Sequence, residues 1–166
     1  MADYYVMASF EIPLRTPEES AWAHQLCAIE LDGDPANVRV QLEALGIVTA
    51  DLGDGVLPDQ DEWGGCWNFE MQVITSPTGG GLLWIHSREY FDSTTAAEIC
   101  RAFLARFEPN GCIIFEWANS CSKPRLDAYG GGGCCVTAEG AEWISTWRAV
   151  SDLAAKSGMS VINDFW

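Results

Sequence analysis

The chain has 166 residues, 48% of them apolar, with 24 Asp and Glu against 9 Lys and Arg and a net charge of −15. A domain of this length buries roughly 70% of the surface its unfolded chain exposes, and eight Trp with seven Phe supply the core, which excludes wholesale disorder. The polyanionic balance disfavours direct contact with nucleic acid or anionic membrane surfaces, and no apolar run reaches the ~20 residues of a membrane span.

Tyr4 to Ile12 alternates and is rich in aromatic and β-branched residues, which predicts a first strand ended by Pro13. Thr16-Pro17-Glu18-Glu19 then combines an N-cap Thr, a Pro at the first helical position and a Glu at N3 that closes a capping box. Trp22, Leu26 and Ile29 give that helix one apolar face to about Leu31. Asp34-Pro35 opens a second helix with Val38, Leu42 and Leu45 on one side and Gly46 at the C′ position, although Val38-Arg39-Val40 also alternates like a strand. Residues 49–66 hold Gly, Pro and acids without periodicity and read as a long loop.

Trp67–Thr75 and Leu82–Tyr90 read as two strands of a hairpin joined by a Gly- and Pro-rich turn. Ser93-Thr94-Thr95 starts a helix, with Thr95 and Glu98 as a second capping box and Ile99, Phe103 and Phe107 on its buried face. Cys112–Ala118 is a strongly apolar strand, and Cys134–Thr137 a short one fed by Gly130–Gly133. Thr137 is the expected cap of a last helix, with Glu139 and Glu142 in its first turn and Trp143, Trp147 and Val150 inside. The tail from Met159 to Trp166 is short and apolar. The pattern predicts one α+β domain over 1–166, with an acidic loop at about 47–66. Its sheet should be mixed but mainly antiparallel, of about five strands, with three to four helices mostly on one face.

Charge is unevenly placed. Ten acids and one base fall between Glu30 and Glu70, a net of −9 from a quarter of the chain. The seven cysteines (27, 66, 100, 112, 121, 134 and 135) include no C-x-x-C, and most lie in periodic apolar surroundings. That usage points to buried, reduced thiols. The first residues have neither a positive n-region nor an apolar h-region, so the expected location is cytoplasmic.

Signals for chemistry are weak. Only His24 and His86 are available as bases of a Cys or Ser nucleophile, and no local hydrolase signature surrounds them. Asp59, Asp61, Gly64 and Glu70 match positions 1, 3, 6 and 12 of a calcium loop, but Trp63 stands at position 5 and a strand follows, so coincidence is the better reading. The vicinal Cys134–Cys135 pair lacks zinc spacing. Gly130–Gly133 feeds a strand rather than a helix and has no adjacent Lys, which favours a tight hairpin or bulge over a phosphate cradle. Glu116, in the apolar run Ile114-Phe115-Glu116-Trp117, either faces inward as a raised-pKa acid or sits on a solvated face. No cofactor is implied.

The segment Phe115-Glu116-Trp117-Ala118-Asn119-Ser120-Cys121-Ser122-Lys123-Pro124-Arg125-Leu126-Asp127-Ala128-Tyr129-Gly130-Gly131-Gly132 resembles a stretch of small uncharacterised acidic proteins of bacteria, phages and plasmids. The resemblance extends into Trp84-Ile85-His86-Ser87 and Val136-Thr137-Ala138, and implies a shared fold and a mobile-element setting. Within it, Lys123, Arg125 and Asp127 gather charge in a turn that serves either as a locked structural element or as a recognition loop.

Together these features lead to the expectation of a non-enzymatic inhibitor of the anti-CRISPR, anti-restriction or nuclease-immunity type. It would dock by phosphate mimicry on a basic surface of a nucleic-acid-handling protein. The expected contact residues are Asp51, Asp54, Asp59, Asp61 and Glu62, the anchors Trp63 and Trp67, and Lys123, Arg125 and Asp127. Alternatives are a small cytosolic enzyme with a Cys/His or Glu116 centre near Gly130–Gly133, and a cation or small-ligand module built on Asp59–Glu70.

Overall fold

The computed structural model describes residues 3–31, 33–51, 67–76, 80–123 and 129–157. Its elements run β1 (Tyr4–Leu14), α1 (Pro17–Cys27), α2 (Pro35–Ala44), a 3-10 turn (Thr49–Asp51), β2 (Glu70–Thr75), β3 (Gly81–Ser87), α3 (Ser93–Phe107), β4 (Ile113–Cys121), β5 (Gly130–Val136), β6 (Ala141–Ser145) and α4 (Thr146–Lys156). The strands form one six-stranded sheet in the order β2-β3-β1-β4-β5-β6. Every neighbouring pair among the described residues is antiparallel, so the α+β class holds, with six strands where about five were expected and a fully antiparallel sheet where a mainly antiparallel one was.

Local chemistry accounts for the helix starts. The Glu19 backbone N–H donates to Thr16 Oγ1 at 3.2 Å, and the buried Glu19 carboxylate accepts from the Thr16 and Arg15 backbone N–H groups, which completes the capping box. Asp34 caps α2, and Gly46, at φ +84°, ends it in the left-handed conformation that glycine adopts without penalty. Asp92, not the following Ser-Thr-Thr run, caps α3, accepting from the backbone N–H of Thr94 and Thr95 and from the Thr95 hydroxyl.

Alternation sorts the strand side chains onto two faces. Inward point Ala8, Phe10, Ile12 and Leu14 of β1, Leu83 and Ile85 of β3, Phe115 of β4, and Cys134 and Val136 of β5. Phe10 stacks on Phe115 with ring centroids 4.7 Å apart, and Phe91 meets both edge-on. α1 and α3 bring Trp22, Leu26, Ile99 and Phe103 to this face, while Val38 and Leu42 of α2 join the same core. The Trp22 indole N–H donates to the Leu45 carbonyl at 3.0 Å and ties α1 to the end of α2.

Two expectations fail at the C-terminal end. Residues 141–145 form strand β6, and the helix begins only at Thr146, capped by Ser145 through the Arg148 N–H. Thr137 instead closes the β5–β6 turn, its N–H donating to the Gly140 carbonyl at 2.8 Å. The glycine run is likewise no loop, because Gly130–Gly133 all pair with β4, and Gly132 and Gly133 also with β6. Glycine is required there by close approach: a Cβ at Gly132 would enter the Trp117 ring and lie 2.7 Å from the Ile144 carbonyl oxygen.

Candidate functional site

Residues on the outward face of the sheet alternate with the core residues, so their positions follow from the same registers. Paired positions line up as Glu70–His86–Ser9 in one row and Gln72–Trp84–Glu11 in the next. On the other half, Glu116–Gly133–Ile144 and Ile114–Cys135–Glu142 form two rows. β1 meets β4 at Ala8 and Trp117, and the Phe10–Phe115 stack keeps the two strands side by side beyond that pair. Continuing this register sets Glu116 opposite Ser9 and Glu11 opposite Ile114, so the half-rows join into two rows that cross the whole sheet.

Glu70, Glu11, Glu116 and Glu142 therefore come from four strands onto one face, and all four are exposed. Within each row the two carboxylates are three strands apart, roughly 14 Å at the usual strand spacing. None of the six strands contains a Lys or Arg. Arg148 of α4, with Asp152, borders a cleft of about 370 Å³ at the β5–β6 end of this face, and Arg88 borders a second cleft beside Glu70. Apolar groups sit among the acids: Ile114 is 71% exposed and Ile144 52%.

Trp84 and His86 give the face a fixed aromatic element. Their rings stack with centroids 3.8 Å apart, and the Trp84 indole N–H donates to Ser9 Oγ at 3.0 Å. Glu70 Oε2 lies 3.9 Å from His86 Nε2, so a protonated imidazole has a carboxylate beside it. His86 and Glu70 also border a cleft of about 720 Å³ lined by Trp67, Phe69, Arg88 and Tyr90.

The sequence-predicted contact residues are placed only in part. Asp54, Asp59, Asp61, Glu62, Trp63, Arg125 and Asp127 lie outside the described residues, and the backbone of Asp51 closes the 3-10 turn. Trp67 is half-buried with its ring 6.0 Å from that of Phe69, on the wall of the larger cleft. Lys123 is exposed just beyond the end of β4. Trp67 and Lys123 stand at the same end of the sheet, since Glu70 pairs near the end of β3 and Cys121 pairs with Tyr4 at the start of β1. Glu116 takes the solvated alternative, pointing outward beside Gly133. It stands two strands from His86, roughly 10 Å away, so the pair shares a face without direct contact.

All six described cysteines are free thiols, but only Cys100 and Cys134 are buried. Cys27 and Cys112 are exposed, and Cys121 and Cys135 half-buried, because strand alternation sends Cys135 to the opposite face from Cys134. Among the described residues no group of three His, Cys, Asp or Glu is arranged to hold a metal ion, and no helix is long and apolar enough to cross a membrane. The site that sequence reasoning missed is the outward acidic face itself. Its four acids lie at positions 11, 70, 116 and 142, and only the strand register gathers them. In comparison with known proteins, no family model, curated protein or solved structure matches the chain.

Proposed function

We propose that this protein is a non-enzymatic acidic binding protein that docks on a basic surface of a nucleic-acid-handling partner and competes there with the phosphate backbone. The observation that carries this reading is the outward sheet face, where Glu11, Glu70, Glu116 and Glu142 are exposed on strands without a single Lys or Arg. The sheet holds the backbone positions of these carboxylates at fixed spacing, so complex formation orders their side chains but not their backbone. The surrounding net charge of −15 accelerates encounter with a basic surface and repels nucleic acid itself. Ile114, Ile144 and the Trp84–His86 stack supply apolar contact between the charges. The acidic residues 52–66 add further charge to the same chain, and a cytoplasmic setting suits such a partner.

Affinity capture from a bacterial lysate tests the reading. Captured partners should be DNA- or RNA-handling proteins, released by moderate salt and displaced by added duplex or single-stranded oligonucleotide. Partners whose retention ignores both salt and oligonucleotide would refute phosphate mimicry.

A second reading, a small enzyme, draws on the 720 Å³ cleft where Glu70 and His86 stand 3.9 Å apart. In that case His86 is the proton carrier oriented by Glu70. Any turnover found by broad substrate screening should then collapse in His86→Ala, and unchanged turnover would remove His86 from the chemistry.

A further inference from the structure

We infer that Cys112 and Cys135 form a peroxide-reactive dithiol on the outward face, closing on oxidation to an intramolecular disulfide between the start of β4 and the end of β5. In the β4–β5 ladder Cys135 stands directly opposite Ile114. Cys112 precedes Ile114 by two residues, so it shares that face and lies diagonal to Cys135, a relationship that brings long or polarizable side chains into reach. The Cys112 thiol is close enough to raise the pKa of the Cys135 thiol, with Cys112 exposed and Cys135 half-buried. Diagonal neighbours stand slightly farther apart than an ordinary disulfide spans, so closure combines a rotamer change with a small backbone shift at Cys112, which lies just before the first residue of β4.

The other described thiols are poor competitors. Cys134 points to the inner face, where it and Cys100 are buried, and consecutive strand residues cannot bridge across the sheet. Cys121 sits at the far end of β4, paired with Tyr4, roughly 25–30 Å along the strand from Cys112. Cys27 belongs to the end of α1.

The two partners have different roles. Partial burial, the Cys112 thiol and the facing Glu142 carboxylate all hold the Cys135 thiol above its ordinary pKa, so Cys135 stays protonated at neutral pH. Cys112 is the exposed member and meets the oxidant. Its thiolate attacks hydrogen peroxide, the O–O bond breaks, and Cys112 becomes a sulfenic acid with release of hydroxide. Cys135 then attacks that sulfur, its proton passes to the leaving oxygen, and water departs as the S–S bond forms. Two thiols and one peroxide give one disulfide and two waters, with both electrons taken up by the peroxide. The bridge would fix Ile114 against Cys135 in the row that carries Glu11 and Glu142, at the border of the smaller cleft. This chemistry does not depend on the docking role.

The test treats the reduced full-length protein with stoichiometric hydrogen peroxide, blocks remaining thiols by alkylation, and maps the peptides by mass spectrometry with fragmentation. The expected product is one intramolecular bridge joining Cys112 to Cys135 and reversed by dithiothreitol. It should be lost in Cys112→Ser and in Cys135→Ser and retained in Cys121→Ser. A Cys135→Ser protein should instead trap the Cys112 sulfenic acid, detectable with a dimedone reagent, which separates loss of the resolving thiol from misfolding. A bridge through another cysteine, a bridge between two chains, or over-oxidation of Cys112 with Cys135 still reduced would overturn the assignment.

Discussion

The edge of the Trp117 ring, at Cζ2 and Cη2, fills the space that a side chain on Gly132 would occupy, and the Ile144 carbonyl crowds the same position. Trp117 in turn meets Trp143 with ring centroids 5.9 Å apart, so a single glycine lets the aromatic layer reach from β4 to β6. Gly132→Ala should therefore destabilise the fold by about 1–3 kcal/mol, the usual cost of forcing volume into a packed site. Gly133→Ala is the control: its Cβ would meet only ordinary contacts at 3.5–3.7 Å on the outward face, so its effect should be small. Urea midpoints of the two variants check the contrast, and equal midpoints would mean that the ring does not fix the glycine.

The same glycine run shows what the sequence conceals. Four consecutive glycines look like a turn because the reason for them, a tryptophan on the neighbouring strand, is fifteen residues away. β6 was hidden for a related reason. Trp143, Trp147 and Val150 have helical spacing, and Thr137 with Glu139 resembles a helix start, yet pairing of 141–145 with β5 overrides that local preference. By contrast, the start of α1 and both ends of α2 were legible almost to the residue, since Thr16, Glu19, Asp34 and Gly46 act through backbone groups within a few positions, whereas α1 stops at Cys27, short of the expected Leu31. The candidate site falls on the hidden side of this divide. A net-charge profile points to 30–70, whereas Glu11, Glu70, Glu116 and Glu142 become neighbours only through strand register.

Buried Glu98 joins two segments. Its carboxylate accepts from the Val48 backbone N–H at 2.6 Å and from Arg101 Nε and a guanidinium NH₂, while Arg101 also donates to the Gly46 carbonyl at 2.9 Å. The side chain thereby pins the segment after α2 to α3. Glu98→Ala removes the acceptor that the part-buried Val48 N–H and the Arg101 guanidinium share, which should cost about 2 kcal/mol. Glu98→Gln keeps the shape and one acceptor oxygen and should cost less. Denaturant unfolding measures both, with faster hydrogen exchange at Val48 as the local readout. An unchanged exchange rate would place the anchor of this segment elsewhere.

Alkaline stability should report the buried thiols. Burial first, and then neighbouring Cys135, push the Cys134 thiol up from its ordinary 9.0 to about 11, and burial raises Cys100 in the same direction. Below pH 9 both states keep their protons and the contribution is complete. Between pH 9 and about 11 the unfolded chain releases protons that the folded chain retains, so stability falls as pH rises through this window. Cys134→Ala should be less stable at neutral pH because of the cavity it leaves, yet show a shallower decline from pH 9 to 11. Urea midpoints across that range give the slopes, and parallel slopes would show that Cys134 does not contribute to the alkaline loss.

The acidic face makes a prediction that separates local geometry from net charge. An arginine-rich peptide serves as a defined basic probe, and its association rate is read by stopped-flow fluorescence at several salt concentrations. Glu11→Gln and Glu116→Gln each remove one carboxylate from the outward face, while Glu18→Gln removes another exposed one from the first turn of α1. All three variants lose the same charge from a molecule of net −15, so long-range steering changes equally in each. If the sheet face is where the probe lands, the two face variants should also dissociate faster and bind several-fold more weakly, about 1 kcal/mol per lost charge-assisted contact, with a flatter salt dependence. Glu18→Gln should keep the native dissociation rate. Equal weakening in all three would mean that the charge acts only as a diffuse field, and that the four strand carboxylates are not a docking surface.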